Sequence, residues 1–294
     1  MADRPERAGG PPPAGGETPA GPGARGRKPA EGIESAHVRA PTRGNRRLEA
    51  LLDAVNEDRQ VRAWWHMAQV TSERLRMSDH SWVHVQIVLN IALRLLRLLV
   101  KAGVSPAMVA DHAMRDRDAE VVVAAGALLH DVGMSIHRAD HEAYGLFLAE
   151  SKLRELLAAV YDEPERTVVV SEALHAIIGH RRRGQPYTLE GGVVRVADAL
   201  DMAHGRSRVS VESGQLGIHS ISAAAIDAVS IAPGAERAVR IEIALNNSAG
   251  IFQVDDLLAT KLRGTPLEEH VEVIASVEGD TEKRLLTEFR LPQD

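Results

Sequence analysis

Residues 127–134 read ALLHDVGM, a histidine and an aspartate side by side where an apolar run beginning at Val121 gives out before a glycine. Imidazole and carboxylate are side chains that bind divalent cations and move protons. Four further residues share this setting: His84, His141, His180 and Asp198 each fall on an inward face or at the end of an apolar helical segment. A single histidine on an apolar face is ordinarily a core residue with a hydrogen-bond partner. Six such groups from five segments are harder to explain that way. Enclosing several partly charged groups in one small volume is costly unless opposite charge accompanies them, and a divalent cation supplies it. The chain has no cysteine, which excludes a disulfide, a thiolate metal site and a cysteine nucleophile. Any metal must therefore sit on histidine and carboxylate, and hard or borderline metals follow.

Helices must carry these groups. Asn45 precedes a stretch, RRLEALLDAVNEDRQVRAWWHMAQVTSERLRM, with apolar residues at helical spacing, enough for two helices behind a capping residue. In SDHSWVHVQIVLNIALRLLRLLVKAGVSP, Gln86, Asn90, Arg94, Arg97 and Lys101 mark one wet face, and Gly103 and Pro106 stop the helix. His84, Val88, Ile91, Leu95 and Leu98 lie opposite, so His84 points inward. From about Asp118 to His130 the chain is apolar on nearly every side, which predicts a fully buried helix ending at the His-Asp pair. Neighbours in mid-helix diverge, but at a helix end both can face one centre. Two more helices follow, broken at Asp162–Pro164 and at Gly184–Pro186, with Ala173, Ile177 and His180 on one face. Thr188 caps a last core helix that carries Val194 and Asp198 one turn apart.

Beyond Gly205 the pattern changes: VRIEIAL (239–245), VEVIASV (271–277) and LLTEFRL (285–291) read as strands, and FQVDDLLATKLRG as a helix between the first two. The expected class is mainly α, a helical bundle core over 45–208 with a small C-terminal α/β domain over 209–294. Of 294 residues 44% are hydrophobic and only 3% aromatic, so the core is aliphatic. Residues 1–44 hold 8 of the 14 prolines and no aromatic residue, a composition that predicts a disordered tail. That segment carries 7 Lys/Arg against 5 Asp/Glu, which leaves the remainder at 28 against 36, a charge of −8. Such a body binds long nucleic acid poorly. No apolar run approaches the ~18 residues a bilayer span needs, and no signal peptide begins the chain, so a cytoplasmic location is expected.

The order His, His-Asp, His, His, Asp, in the contexts ALLHDVG, IIGHRRR and VVRVADALD, resembles the HD superfamily of metal-dependent phosphohydrolases over roughly Ser78 to Arg206. Within it, HEAYG and ADALDMAHGR are most similar to the HD domain of ribonuclease Y, whose membrane anchor and RNA-binding module have no counterpart here. The resemblance implies an HD-type bundle in which His84, His130, Asp131 and Asp198 hold one divalent ion. Asp131 would bridge to a second ion held by His141 and His180. His130 and Asp131 are then the catalytic pair, and manganese, iron or a similar ion, with magnesium or zinc as further options, would activate water against a phosphoester. Arg181 and Arg206 are candidate substrate contacts, with Arg182 and Arg183 beside the first. Many members of the superfamily carry lysine directly after HD-x-G, where this chain has Met134, so one phosphate contact is expected to be missing. His80, four residues before His84, is a competing ligand candidate but reads as part of a capping turn, His175 as the partner of Glu172, His137 and His204 as loop residues, and His66, beside Trp64 and Trp65, as a packing residue.

The expected substrate is a small nucleotide-like phosphoester, with a homo-oligomer possible. Two other functions share the pattern: a di-iron oxygenase built on the same six ligands, and a non-catalytic signalling or scaffolding module. The second usually loses metal-ligand positions, and here all six are present.

Overall fold

The computed structural model describes residues 33–182, 184–202, 222 and 224–277. Most of the tail, Arg183, His204, Arg206, the 208/209 boundary and the strand expected at 285–291 lie outside the described residues. Helices α1 (Arg46–Glu57) and α2 (Arg59–Leu75) form where two were expected. Asn45 caps the first by accepting from Leu48 N, and Asp58 caps the second by accepting from Gln60 N and Val61 N. Then come α3 (Trp82–Lys101), a single turn α4 (Ala107–Ala110), α5 (Asp116–Leu129), α6 (His141–Leu156), α7 (Glu165–Gly179) and α8 (Leu189–Leu200). A 3-10 turn, Val132–Ser135, joins α5 to α6.

Helix α5 is the hub. Every residue from Val121 to Leu129 is buried, and α3, α7 and α8 pack around it. Small residues permit the closeness: a Cβ on Gly126 would sit 3.0 Å from Ala176 Cβ and 3.1 Å from Val194 Cγ2. The Trp65 indole donates to the Leu128 carbonyl at 2.9 Å and so ties α2 to the end of α5 that bears the His-Asp pair.

Two sequence expectations need correction. Ordered chain begins before Asn45, because Ala36 and Val38 are buried and Val38 exchanges hydrogen bonds with the Asn56 side chain. Gln86 and Asn90 of α3 donate to the Arg39 carbonyl, so part of the face taken as wet is covered by this segment. Helix α3 is also long and apolar enough, by length and composition alone, to cross a membrane, but half of its apolar stretch is buried inside the protein. Packing against α5 and α8 accounts for its apolar character.

Among the described residues the C-terminal region holds three strands, β1 (Ile226–Pro233), β2 (Val239–Leu245) and β3 (Val271–Val277), in the order β1-β2-β3. β1 runs antiparallel to β2, and β2 parallel to β3. The parallel pair needs a crossover. It is made by α9 (Ile251–Gln253), a π-helical stretch (Val254–Ala259) and α10 (Thr260–Leu262). Val239, Ile241, Ile243 and Leu245 alternate inward, and the sheet joins the same hydrophobic core as the helices. β1 was not expected, because Asp227 and Ser230 interrupt its apolar pattern.

Candidate metal centre

His84 lies in the first turn of α3, His130 caps the end of α5, and Asp131 follows with its backbone bent out of the helix (φ −101°, ψ 4°). His141 opens α6, His180 caps the end of α7, and Asp198 sits in the last turn of α8. All six are buried. Two groups of three form, His84 with His130 and Asp198, and Asp131 with His141 and His180, with the ligand atoms of each group within 4.8 Å of one another. Asp131 reaches both. Its Oδ2 stands 3.2 Å from His130 Nε2 and 3.5 Å from His84 Nε2, and its Oδ1 stands 3.2 Å from His141 Nε2 and 3.8 Å from His180 Nε2.

The outer nitrogens explain the orientation. His130 Nδ1 donates to the Ala127 carbonyl at 2.8 Å, His180 Nδ1 to the Ile177 carbonyl at 2.6 Å, and His84 Nδ1 to Asp201 Oδ2 at 2.6 Å. These acceptors can only accept, so each Nδ1 carries the hydrogen and each Nε2 turns a lone pair inward. At His141 the Arg138 carbonyl at 3.0 Å and Glu142 Oε2 at 3.3 Å select the same tautomer, while Arg138 Nη1 at 2.8 Å competes for it.

Lone pairs therefore face one another. His84 Nε2 and His130 Nε2 are 3.2 Å apart, and His141 Nε2 and His180 Nε2 are 3.3 Å apart. Ligands about 2.0–2.1 Å from one cation are separated by about 3.0–3.4 Å. Asp131 Oδ2 is buried and has no hydrogen-bond donor. Burial, with positive charge at His130 and His141, pushes the His180 pKa well below its ordinary value. Burial would raise Asp131, but positive charge at His130 and His80 holds it well below the usual carboxylate range. Burial would lower His141, but the hydrogen bond and charge of Asp131, with Glu142, raise it. The donor set fits divalent metal.

A family model described as HD domain matches residues 78–203. An uncharacterized protein of Methanocaldococcus jannaschii is 36% identical over 229 residues, which are 78% of this chain and 88% of that protein. The chain belongs to the HD-domain family. No solved structure matches it.

The glycine of the HD-x-G motif is a matter of space. A Cβ on Gly133 would lie 1.9 Å from the His141 carbonyl oxygen and 2.6 Å from Gly145 N, so only glycine lets α6 come close enough to bring His141 to Asp131. Met134, which follows it, is fully buried.

Sequence reading set His80 aside as a ligand in favour of a capping turn, and missed two further contributors to the HD site, Asp201 and Lys261. Ser81 is the cap of α3, with Asp79 supporting the turn, yet His80 is buried as well and its Nε2 lies 4.0 Å from Asp131 Oδ2. Its Nδ1 donates to the Ser78 carbonyl at 2.7 Å, the same orienting device as in the other imidazoles. Asp201, three residues after Asp198, was readable from ADALD as a same-face carboxylate. Lys261 comes from the C-terminal region, and its ammonium contacts Asp198 Oδ2; no local pattern announces it.

Other expectations shift. Glu172 pairs with His112 at 3.0 Å, whereas His175 accepts from the Tyr187 amide at 2.9 Å and stacks on its ring. Arg181 is half exposed, with Nη2 3.8 Å from Asp140 Oδ1, and Arg182 is bound to Asp256 at 2.6 Å. His137 is exposed and His66 half-buried.

Proposed function

We propose that the protein is a metal-dependent phosphohydrolase that cleaves a phosphoester of a nucleotide-like small molecule. The observation that carries this reading is the Asp131 carboxylate, buried, with one oxygen turned to each histidine pair. That is the disposition of a carboxylate shared by two cations. His84, His130, Asp198 and Asp131 would hold one ion, and His141, His180 and Asp131 the other. A bound pair of divalent ions supplies Lewis acidity toward a phosphoryl oxygen and lowers the pKa of a water molecule. Manganese or iron suits the histidine and carboxylate set, with magnesium or zinc as further options.

The chain's own groups do the positioning. Carbonyls and Asp201 hold the imidazoles in one tautomer, and the aliphatic wall of α5 and α8 keeps the site in a low dielectric, where electrostatic interactions are stronger. The charge of −8 outside residues 1–44 supports a small anion rather than a long polymer as substrate. The test is turnover of the metal-reconstituted full chain on a panel of phosphomonoesters and phosphodiesters. Phosphate release is expected, reduced roughly 100-fold or more in His130→Ala and Asp131→Ala. A protein that holds no transition metal and responds to neither substitution contradicts the reading. Oxygen uptake with a mixed-valence iron signal, in place of phosphate release, would transfer it to the di-iron oxygenases.

A further inference from the structure

We infer that Lys261, delivered from the C-terminal region, binds the phosphoryl group of the substrate at the metal centre; this deepens the phosphohydrolase reading and rests on it. The Lys261 ammonium contacts Asp198 Oδ2, the oxygen of that carboxylate on the side away from His84, whose Nε2 is 3.3 Å from Oδ1. The lysine side chain is 14% exposed and Asp198 9%, against 0% for His84 and His130, so the contact lies toward the outside of the cluster. An anion approaching there meets the ammonium beside the ligand set.

The lysine is held in place by an unusual clamp. Arg195, one turn before Asp198 on α8, is almost completely buried, and its five N–H donors all find carbonyl acceptors. Nε donates to Lys261 O at 2.8 Å, and Nη2 to Thr260 O at 3.4 Å and Arg182 O at 2.8 Å. Nη1 donates to Gly179 O at 3.1 Å and to Arg181 O. One guanidinium thus joins the backbone of Lys261 to the turn that carries His180. The Arg182–Asp256 ion pair fastens the same two segments on the surface. A π-helical stretch ends directly before Thr260, and its wider turn re-aims the residues that follow.

A lysine that served only to neutralise Asp198 would not need its backbone tied to a metal-ligand turn. Lysine offers a compact charge with three donors on a flexible stem, suited to follow a phosphoryl oxygen, whereas the fork of Arg195 is fully engaged with backbone. Arg138 Nη1 meets the outer Nδ1 of His141; with Met134 buried in the core, Lys261 is the cation on the Asp198 side of the six-residue cluster among the described residues.

The experiment uses the full chain loaded with manganese and inorganic phosphate as the probe. Metal content is read by elemental analysis and phosphate affinity by calorimetry, in wild type, Lys261→Gln and Lys261→Arg. The expected result is unchanged metal content with phosphate affinity lowered about tenfold in Lys261→Gln, and partly restored in Lys261→Arg. Loss of metal from Lys261→Gln, unchanged phosphate affinity, or no phosphate binding by the wild type overturns the inference. Should Lys261→Gln not fold, Lys261→Arg and Lys261→Met carry the same comparison. A wild type that binds phosphate through Lys261 yet turns over no ester would sink the hydrolase reading and leave the contact standing.

Discussion

At the scale of single residues the account turns on which atom holds a proton. Three Nδ1 atoms donate to oxygens that cannot donate back, so three Nε2 lone pairs point at a buried carboxylate. Asp201 has no place in either group of three, and its contact is with the outer nitrogen of His84. Asp201→Ala should therefore act through His84, lowering metal affinity about 10–100-fold, as loss of an orienting partner does. Metal titration checks this, with folding followed by circular dichroism; unchanged affinity would remove Asp201 from the site. The His-Asp pair, His84, His141, His180 and Asp198 were legible because each stands out against an apolar helix face. His80 was not, since it precedes the helix and its inward turn depends on the Ser78 carbonyl. Lys261 was not, since its meeting with Asp198 spans 63 residues.

Helices set the distances. Gly133 allows α6 to lie against the turn after α5, and a methyl group there would run into the carbonyl of a site residue, His141. Gly133→Ala should destabilise the protein by about 3 kcal/mol or more and loosen the His141 and His180 group before the His84 group. Denaturant unfolding together with metal content reads both; a loss below about 1 kcal/mol would mean the helices can part freely. The entry to α2 carries a pH-dependent element. Burial would raise the Asp58 carboxyl, but the Lys152 ammonium at 2.8 Å and the amides of Val61 and Gln60 hold it below its ordinary 3.8. The unfolded chain binds that proton more readily than the folded one. This stabilisation is therefore present above pH 3.8 and is lost as pH falls through the lower folded value. Asp58→Asn should cost about 1–3 kcal/mol near neutrality and progressively less toward that acid range, as seen by urea unfolding at a series of pH values. A cost independent of pH would assign the effect to the cap alone. Periodicity and caps made α1 to α3 and α5 to α8 readable in order, and the β-branched runs did the same for β2 and β3, whereas the single turn of α4 was not expected. β1 escaped because its burial is decided by pairing with β2, not by its own alternation.

For the whole molecule, the C-terminal sheet and the helical core form one hydrophobic body, so the region first read as a separate domain contributes a side chain to the candidate metal centre. Sequence patterning identified both halves, but could not tell that they share a core, because that follows from packing over long separations. A protein whose buried site is completed by cations should unfold more easily without them. Chelation should lower the stability by about 2.7 kcal/mol relative to a metal concentration of 100 Kd, a fall of roughly 5–10 °C in Tm. Calorimetry with and without chelator tests it, and an unchanged Tm would place the metal outside the folded core. The most direct measurement is anomalous diffraction from manganese-loaded crystals of the full chain. Two peaks about 3.5–4 Å apart on either side of the Asp131 carboxylate are predicted. A single peak not touching Asp131, or no peak within this cluster, would contradict the account.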